Sequence, residues 1–364
     1  MKDKRHSDGT KLLWHMSKVI AHLDNKEKVA PIHLDCGIAK FCNISCSYCF
    51  GKFQKMQKVY ISRNSLLCLV RDAHSIGVKS IAFIGDGEPT CNPHLYETLT
   101  VARDETDLDM AISTNGILIN SVDKCDVILS SCKWMRFCLS AGTQEGYKKV
   151  HGKDYFHIVL ENIKKMVTVK KEKGYTCDIG LQSVFDPTIM KEEMILESKL
   201  AVDLGVDYFV IKQCSLPDSG ESGIFTFDLN EYDSEETQNA LKSCEALSTD
   251  KTKIIVKWNT IKQKGTRPYY GCLSVPFISE ISGNGNWFPC GYFFEDKPEY
   301  SPYKFGNIHE KSLKEIFLSD HYWDVIERMK KFDVHKDCHG ACRLDATNKF
   351  CYDYMDKPIG INFI

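Results

Sequence analysis

The chain has 364 residues, 43% hydrophobic and 26% charged, with a formal net charge of -2, the proportions of a folded globular protein rather than a disordered or fibrous one. No apolar run approaches the roughly 20 residues that span a bilayer, and Met1-Lys2-Asp3-Lys4-Arg5-His6 lacks the apolar core of a signal peptide. Lysines and glutamates are mixed throughout, so a cytoplasmic protein is expected, with no membrane and no nucleic acid as partner.

Leu12, Leu13, Met16, Val19, Ile20 and Leu23 recur at helical spacing and predict an amphipathic helix over 11–23. Pro31-Ile32-His33-Leu34-Asp35-Cys36 reads as a first strand. Further strand-like runs lie at 80–84, 109–113, 135–139, 177–183 and 207–212, separated by helix-like stretches near 64–76, 94–103, 118–124, 155–173 and 189–204. Six strands alternating with helices predict a parallel sheet with right-handed crossovers. Six repeats fall short of a closed eight-stranded barrel, so the expected fold class is α/β, a partial (β/α)6 TIM-type barrel. In such sheets ligands bind at the carboxyl ends of the strands.

Just beyond the first strand stands Cys42-Asn43-Ile44-Ser45-Cys46-Ser47-Tyr48-Cys49. Three thiolates so close in sequence can share one metal centre and leave a fourth position open, as catalysis requires; a partial zinc site is the other reading of the triplet alone. After the second strand comes Gly85-Asp86-Gly87-Glu88-Pro89-Thr90, where glycines allow close backbone approach and Glu88 can accept from an ammonium group. A plain strand-to-helix turn is the alternative.

The triplet, with an aromatic residue before its last cysteine, resembles the cluster loop of the radical S-adenosylmethionine (SAM) enzymes. The resemblance implies that Cys42, Cys46 and Cys49 hold a 4Fe-4S cluster whose fourth iron chelates SAM. Gly85 to Pro89 resembles the Gly-Gly-Glu-Pro motif that binds the SAM amino group, with Asp86 in place of a glycine. By the same resemblance Tyr48, Ser113 and Asn115, Ser140, Gln182 and Lys212 are candidate SAM-binding residues at strand ends, Lys212 and Gln213 being equally placed for substrate. Asn-Gly and Ser-Ala-Gly turns are common without any such role.

Residues 216–270, with Pro217-Asp218-Ser219-Gly220 and an acidic helix-prone stretch, read as a connection after a 1–30 extension and a 31–215 core. The 271–364 segment is rich in cysteine: Cys272, Cys290, Cys338, Cys342 and Cys351. Gly283-Asn284-Gly285-Asn286 between apolar stretches predicts a β-hairpin, with Pro276 bending the chain so that Cys272 folds back. The segment resembles the SPASM or shorter twitch domain of radical SAM enzymes, as does Phe305-Gly306-Asn307-Ile308 followed by the capping box Ser312-Leu313-Lys314-Glu315. That implies one auxiliary 4Fe-4S cluster, with Cys272, Cys290, Cys342 and, before Cys351, Cys338 as ligands. A structural zinc site, with His339 as a ligand, is the alternative. With 17 cysteines in all, an odd count, the remaining ones read as buried thiols rather than disulfides. Cys214, just after the sixth strand, is the exception, placed to pass a hydrogen atom or to ligate a cluster.

The resemblance implies reductive cleavage of SAM to a 5'-deoxyadenosyl radical that abstracts hydrogen from a substrate, the auxiliary cluster assisting oxidation or anchoring substrate, and an electron donor such as flavodoxin or ferredoxin. With 41 residues before Cys42, a small polar substrate, possibly a carbohydrate, is expected ahead of a peptide or protein. The rival of another class is a non-catalytic zinc or redox-sensing cluster protein.

Overall fold

The computed structural model describes residues 8–52, 54, 56–187, 190–214, 229–263, 267–295, 297–338 and 342–363. Its centre is a parallel run of strands paired in chain order: β1 (His33–Cys36), β2 (Ser80–Phe83), β3 (Asp109–Thr114), β4 (Cys132–Cys138), β5 (Asp178–Phe185) and β6 (Tyr208–Gln213). Between them run α2 (Arg63–Ile76), α3 (Leu95–Glu105), α4 (Val122–Ser131), α5 (Gln144–His151), α6 (Phe156–Lys173) and α7 (Lys191–Leu204), preceded by α1 (Met16–Leu23). Residues 11–23 are helical throughout, but the first turn, Thr10–His15, is a 3-10 helix.

Two features extend the sheet beyond the six expected strands. The stretch read as a connection contains α8 (Glu235–Ala246), β7 (Lys253–Val256) and α9 (Trp258–Gln263), and β7 pairs parallel with β6. At the other edge, β8 (Ile278–Ile281) pairs parallel with β1 and antiparallel with β9 (Asn286–Phe288), which pairs with β10 (Gly306–Asn307). The hairpin of the Cys-rich end thus forms one ten-stranded sheet with the barrel. Pro276 lies in a turn in which Phe277 N donates to Ser274 O at 2.9 Å, just before β8. The chain closes with α10 (Leu313–Leu318), α11 (Asp320–Lys330) and α12 (Asp345–Met355). No described helix is long and apolar enough to cross a membrane.

Strand alternation sorts the side chains onto two faces. Leu34, Cys36, Ile81, Phe83, Ile112, Met135, Phe137, Ile179, Leu181, Phe209 and Ile211 belong to the main buried core against the helices. Their alternates point inward: His33 and Asp35 on β1, Ser113 on β3, Trp134, Arg136 and Cys138 on β4, Gln182 on β5 and Lys212 on β6. Tyr208, Val210 and Ile255 form a separate small cluster on this inner face. The lumen is therefore largely polar, which is the feature of the fold that matters for chemistry.

Candidate active site

The Cys42–Cys49 loop lies beyond the carboxyl end of β1 and is held by its neighbours rather than by regular structure. Ser45 N and Ser47 N donate to His151 O and Val150 O of α5, at 3.2 and 2.8 Å, and Glu88 N donates to Phe41 O at 2.9 Å. Gly87 lies so close that an added Cβ would collide with the carbonyl oxygens of Ala39 and Phe41. Here glycine is needed for close approach. Asn115 Nδ2 donates to Asn43 Oδ1 at 2.6 Å and lies 3.7 Å from Cys42 Sγ. Tyr48 Oη and Ser140 Oγ are 2.9 Å apart, and Val184 N donates to the same Ser140 Oγ at 3.3 Å. Ser140 is held at φ 49°, in the left-handed region that a non-glycine residue seldom occupies. Tyr48 and Ser140 thereby meet beside β5, the strand that also carries Gln182.

Glu88 does different work from the one its type suggests. Its Oε1 accepts from Thr90 N at 3.0 Å, Thr90 Oγ1 at 2.6 Å and Thr114 Oγ1 at 2.6 Å, and its Oε2 accepts from Asn115 N at 2.8 Å. A buried carboxylate so occupied is a clamp between the β2 and β3 loops. Pro89 opens the short 3-10 turn that Glu88 caps. Asp86 is also buried: Ser282 Oγ donates to its Oδ2 at 2.5 Å, Gly283 N to its Oδ1 at 2.9 Å, and Lys40 Nζ stands 3.7 Å away. The residue that replaces the usual glycine thus ties this loop to the β8–β9 turn.

Burial pushes the Cys42 thiol up to about 12, the Glu88 charge adding to it, and raises Cys46 well above the ordinary thiol range. Cys46 Sγ meets His151 Nδ1 at 2.9 Å, while His151 Nε2 lies 2.6 Å from Leu139 O. Such thiols ionise only when a cation replaces their protons, and coordination to a metal centre does this. Among the described residues no three His, Cys, Asp or Glu side chains converge tightly enough for a single ion. A four-iron cluster takes one thiolate at each corner, so the donor set of Cys42, Cys46 and Cys49 fits it.

At the other end, Cys272, Cys290, Cys338 and Cys342 line one cavity with Arg267, Tyr269, Phe293 and Asn348. Asn348 Nδ2 donates to Cys272 Sγ at 3.4 Å, and its Oδ1 accepts from Leu273 N and Ser274 N at 2.7 and 2.9 Å. Burial raises Cys272 and Cys290, and a hydrogen bond with Cys338, then burial, raises Cys342. Four soft thiols round one cavity suit an iron–sulfur cluster. Cys351 lies elsewhere, fully buried in the apolar cluster with Leu12, Val19 and Phe277. His339 lies outside the described residues.

Cys214 follows β6 directly. It is 1% exposed, its N–H donates to Tyr232 Oη at 3.0 Å, and burial raises its thiol. Cys138 is a thiol on the lumen face, 3.4 Å from Ser113 Oγ and 3.8 Å from Gln182 Nε2. Sequence reasoning also passed over Arg136, whose Nε donates to Ser113 Oγ at 3.2 Å and whose guanidinium lies over Trp134. Asp35, ion-paired with Arg343, was missed as well. Charged residues in the middle of strands covered on one face by helices were the available signal, since a parallel strand buried on both faces is apolar.

Comparison with known proteins agrees with this geometry. The family model for the radical SAM superfamily matches residues 37–181, and that for the SPASM iron–sulfur cluster-binding domain matches 272–343. The cofactor-modifying protein of tungsten-containing aldehyde ferredoxin oxidoreductase from Pyrococcus furiosus is 24% identical over 307 residues, 78% of this chain and 80% of that protein. A probable GTP 3',8-cyclase of Saccharolobus islandicus is 27% identical over 170 residues, 46% of this chain, and the match spans about half (51%) of the cyclase's length. Among solved structures, Streptococcus suis SuiB bound to S-adenosylmethionine aligns at TM-score 0.63 and 19% identity, over 89% of this chain and 75% of SuiB. The structure of native anSMEcpe with bound AdoMet and Cp18Cys peptide aligns at TM-score 0.59 and 19% identity over 88% of each chain. At these identities the structural likeness is one of fold. Residues 37–181 thus carry a radical SAM domain and residues 272–343 a SPASM domain, and these domains imply a SAM-binding 4Fe-4S cluster, SAM and auxiliary iron–sulfur chemistry as cofactors.

Proposed function

We propose that this chain cleaves SAM reductively at a cluster held by Cys42, Cys46 and Cys49 and directs the resulting radical at a substrate in the barrel lumen. The observation that carries the reading is three half-buried thiols on one short loop, beside Asn115, which the carboxylate of Glu88 holds through its backbone N–H. When bound, the cluster supplies the electron that splits the sulfonium into methionine and a 5'-deoxyadenosyl radical. Tyr48 and Ser140 shape the mouth, and the sheet and its helices keep water from the lumen. Cys272, Cys290, Cys338 and Cys342 would hold one auxiliary cluster, which would supply an electron acceptor or an anchoring point for substrate. A flavodoxin or ferredoxin is the expected electron donor.

For the substrate, a small polar molecule fits the polar inner face. A peptide side chain is the second reading, favoured by the peptide seen in the anSMEcpe structure and the precursor peptide bound to SuiB. The test is anaerobic reconstitution with iron and sulfide, reduction with dithionite and assay for 5'-deoxyadenosine. About eight irons per chain, four for each cluster, with 5'-deoxyadenosine formed, are expected. Zinc in their place with SAM intact would refute the reading. The triple variant Cys42→Ala, Cys46→Ala, Cys49→Ala should retain about four irons and form no 5'-deoxyadenosine.

A further inference from the structure

The charges on the lumen face do not balance. Arg343, which enters from the C-terminal segment, is paired with Asp35; His33 Nε2 is 3.0 Å from Asp35 Oδ1, and its Nδ1 meets Ser80 Oγ at 2.8 Å. Glu280, across from Asp35 on β8, adds a second carboxylate near Arg343. Arg136 and Lys212 lack such a direct contact, although the charge of Arg136 reaches Asp35 at longer range. Arg136 donates to the neutral Ser113 and lies over Trp134, and among the described residues neither cation forms an ion pair with a carboxylate. Lys212 follows Tyr208 and Val210 on the inner face of β6, and Arg136 and Arg343 are near enough for their charge to act on it. Burial, with that repulsion, brings its ammonium down to about 8. Uncompensated cations in a half-buried cleft are costly unless a ligand supplies the opposite charge.

We propose that Arg136 and Lys212 form an anion subsite in the lumen, with Arg343 behind them, that grips a carboxylate or phosphate group of the substrate. This rests on the reading of the lumen as the substrate chamber and narrows it: the substrate is anionic, whether a small acid, a phosphorylated sugar or an acidic peptide residue. Arginine and lysine divide the task in the usual way, the planar fork fixing orientation and the ammonium supplying a point charge.

The probe is pyridoxal 5'-phosphate, an aldehyde carrying a phosphate. The Lys212 amine adds to the aldehyde carbon and water leaves; borohydride then delivers hydride to the imine carbon while nitrogen takes a proton from solvent, and peptide mapping reads the fixed label. On reconstituted protein with SAM present, Lys212 should be labelled at least tenfold faster than the average lysine. Inorganic phosphate or acetate should protect it saturably, the stronger of the two identifying the anion. Arg136→Gln should weaken that protection about tenfold while keeping the parent's circular dichroism and cooperative thermal melt, which show that the fold is kept. Labelling of Lys212 at the average rate, or no protection by either anion, overturns the proposal. So does complete shielding by SAM alone, which would assign these cations to the SAM carboxylate. Failure of the radical reading shows up separately, as absence of 5'-deoxyadenosine, and leaves the labelling result intact.

Discussion

Lys40 is 1% exposed and donates to Phe294 O at 2.8 Å and to Ser282 Oγ at 3.3 Å beside Asp86. Removing one member of such a buried pair strands the other charge, which costs about 3–5 kcal/mol. Lys40→Met should therefore lower unfolding stability by about that amount, and Lys40→Met with Asp86→Asn should lose clearly less than the sum of the two single changes. Strict additivity in urea melts would show that the pair is not coupled. Lys212 gives a pH signature of the opposite sense. Its native value of about 8 lies below the unfolded value of about 10.4, so between them the unfolded chain binds more protons and stability rises with pH. Lys212→Met should be more heat-stable than the parent at pH 7, with the advantage shrinking between about pH 8 and pH 10; a widening gap in melting temperature over that span would contradict it. At this scale the sequence disclosed residue types but not partners. The motif position of Asp86 is plain in the chain, whereas its bonds to Ser282 and Gly283 join residues 196 and 197 positions apart, a pairing no local pattern encodes.

The elements best read from sequence are those with local punctuation. α2 begins at Ser62, whose side chain accepts from Ser65 N, and ends at Gly77; α6 ends at Gly174 at φ 69°. The helix expected at 118–124 instead runs from Val122 to Ser131, because Ser121 is its cap and accepts from Lys124 N. α5 went unread although Thr143 caps it and Gly152 closes it, since eight residues with four charged or histidine side chains show little apolar period. β7 was absorbed into a connection because Lys253–Val256 is only four residues long and its partner β6 lies forty residues earlier, across α8. The capping box of α10 was legible and is complete in the structure: Ser312 Oγ accepts from Glu315 N, and Glu315 Oε2 from Ser312 N. Ser312→Ala should cost about 1 kcal/mol in chemical denaturation. A change below a few tenths would mean that α10 is held by its tertiary contacts alone, among them Lys314 N donating to Asp72 Oδ2 of α2 at 3.0 Å.

At the scale of the molecule, the boundary that composition draws near residue 271 is crossed by the hydrogen-bonded sheet. β8 covers the edge of β1, register His33 to Ile278 through Cys36 to Ile281, so without it the strand that launches the cysteine loop would be an exposed parallel edge. Ser282, Gly283 and Phe294 supply the partners that make the buried Lys40 and Asp86 tolerable, and Arg343 neutralises Asp35. A fragment of residues 1–270 would then carry a buried Lys40–Asp86 pair stripped of its hydrogen bonds to Ser282, Gly283 and Phe294, a buried Asp35 that has lost Arg343, and a bare edge beside the cysteine loop. Such defects cost several kcal/mol each against a total stability of only about 5–15 kcal/mol. The fragment is expected to lack a cooperative thermal transition and to exchange the amide hydrogens of β1 and β2 rapidly, whereas the full chain protects them. If the fragment melts cooperatively and protects β1 as the full chain does, the barrel is an independent unit and the C-terminal segment merely leans on it.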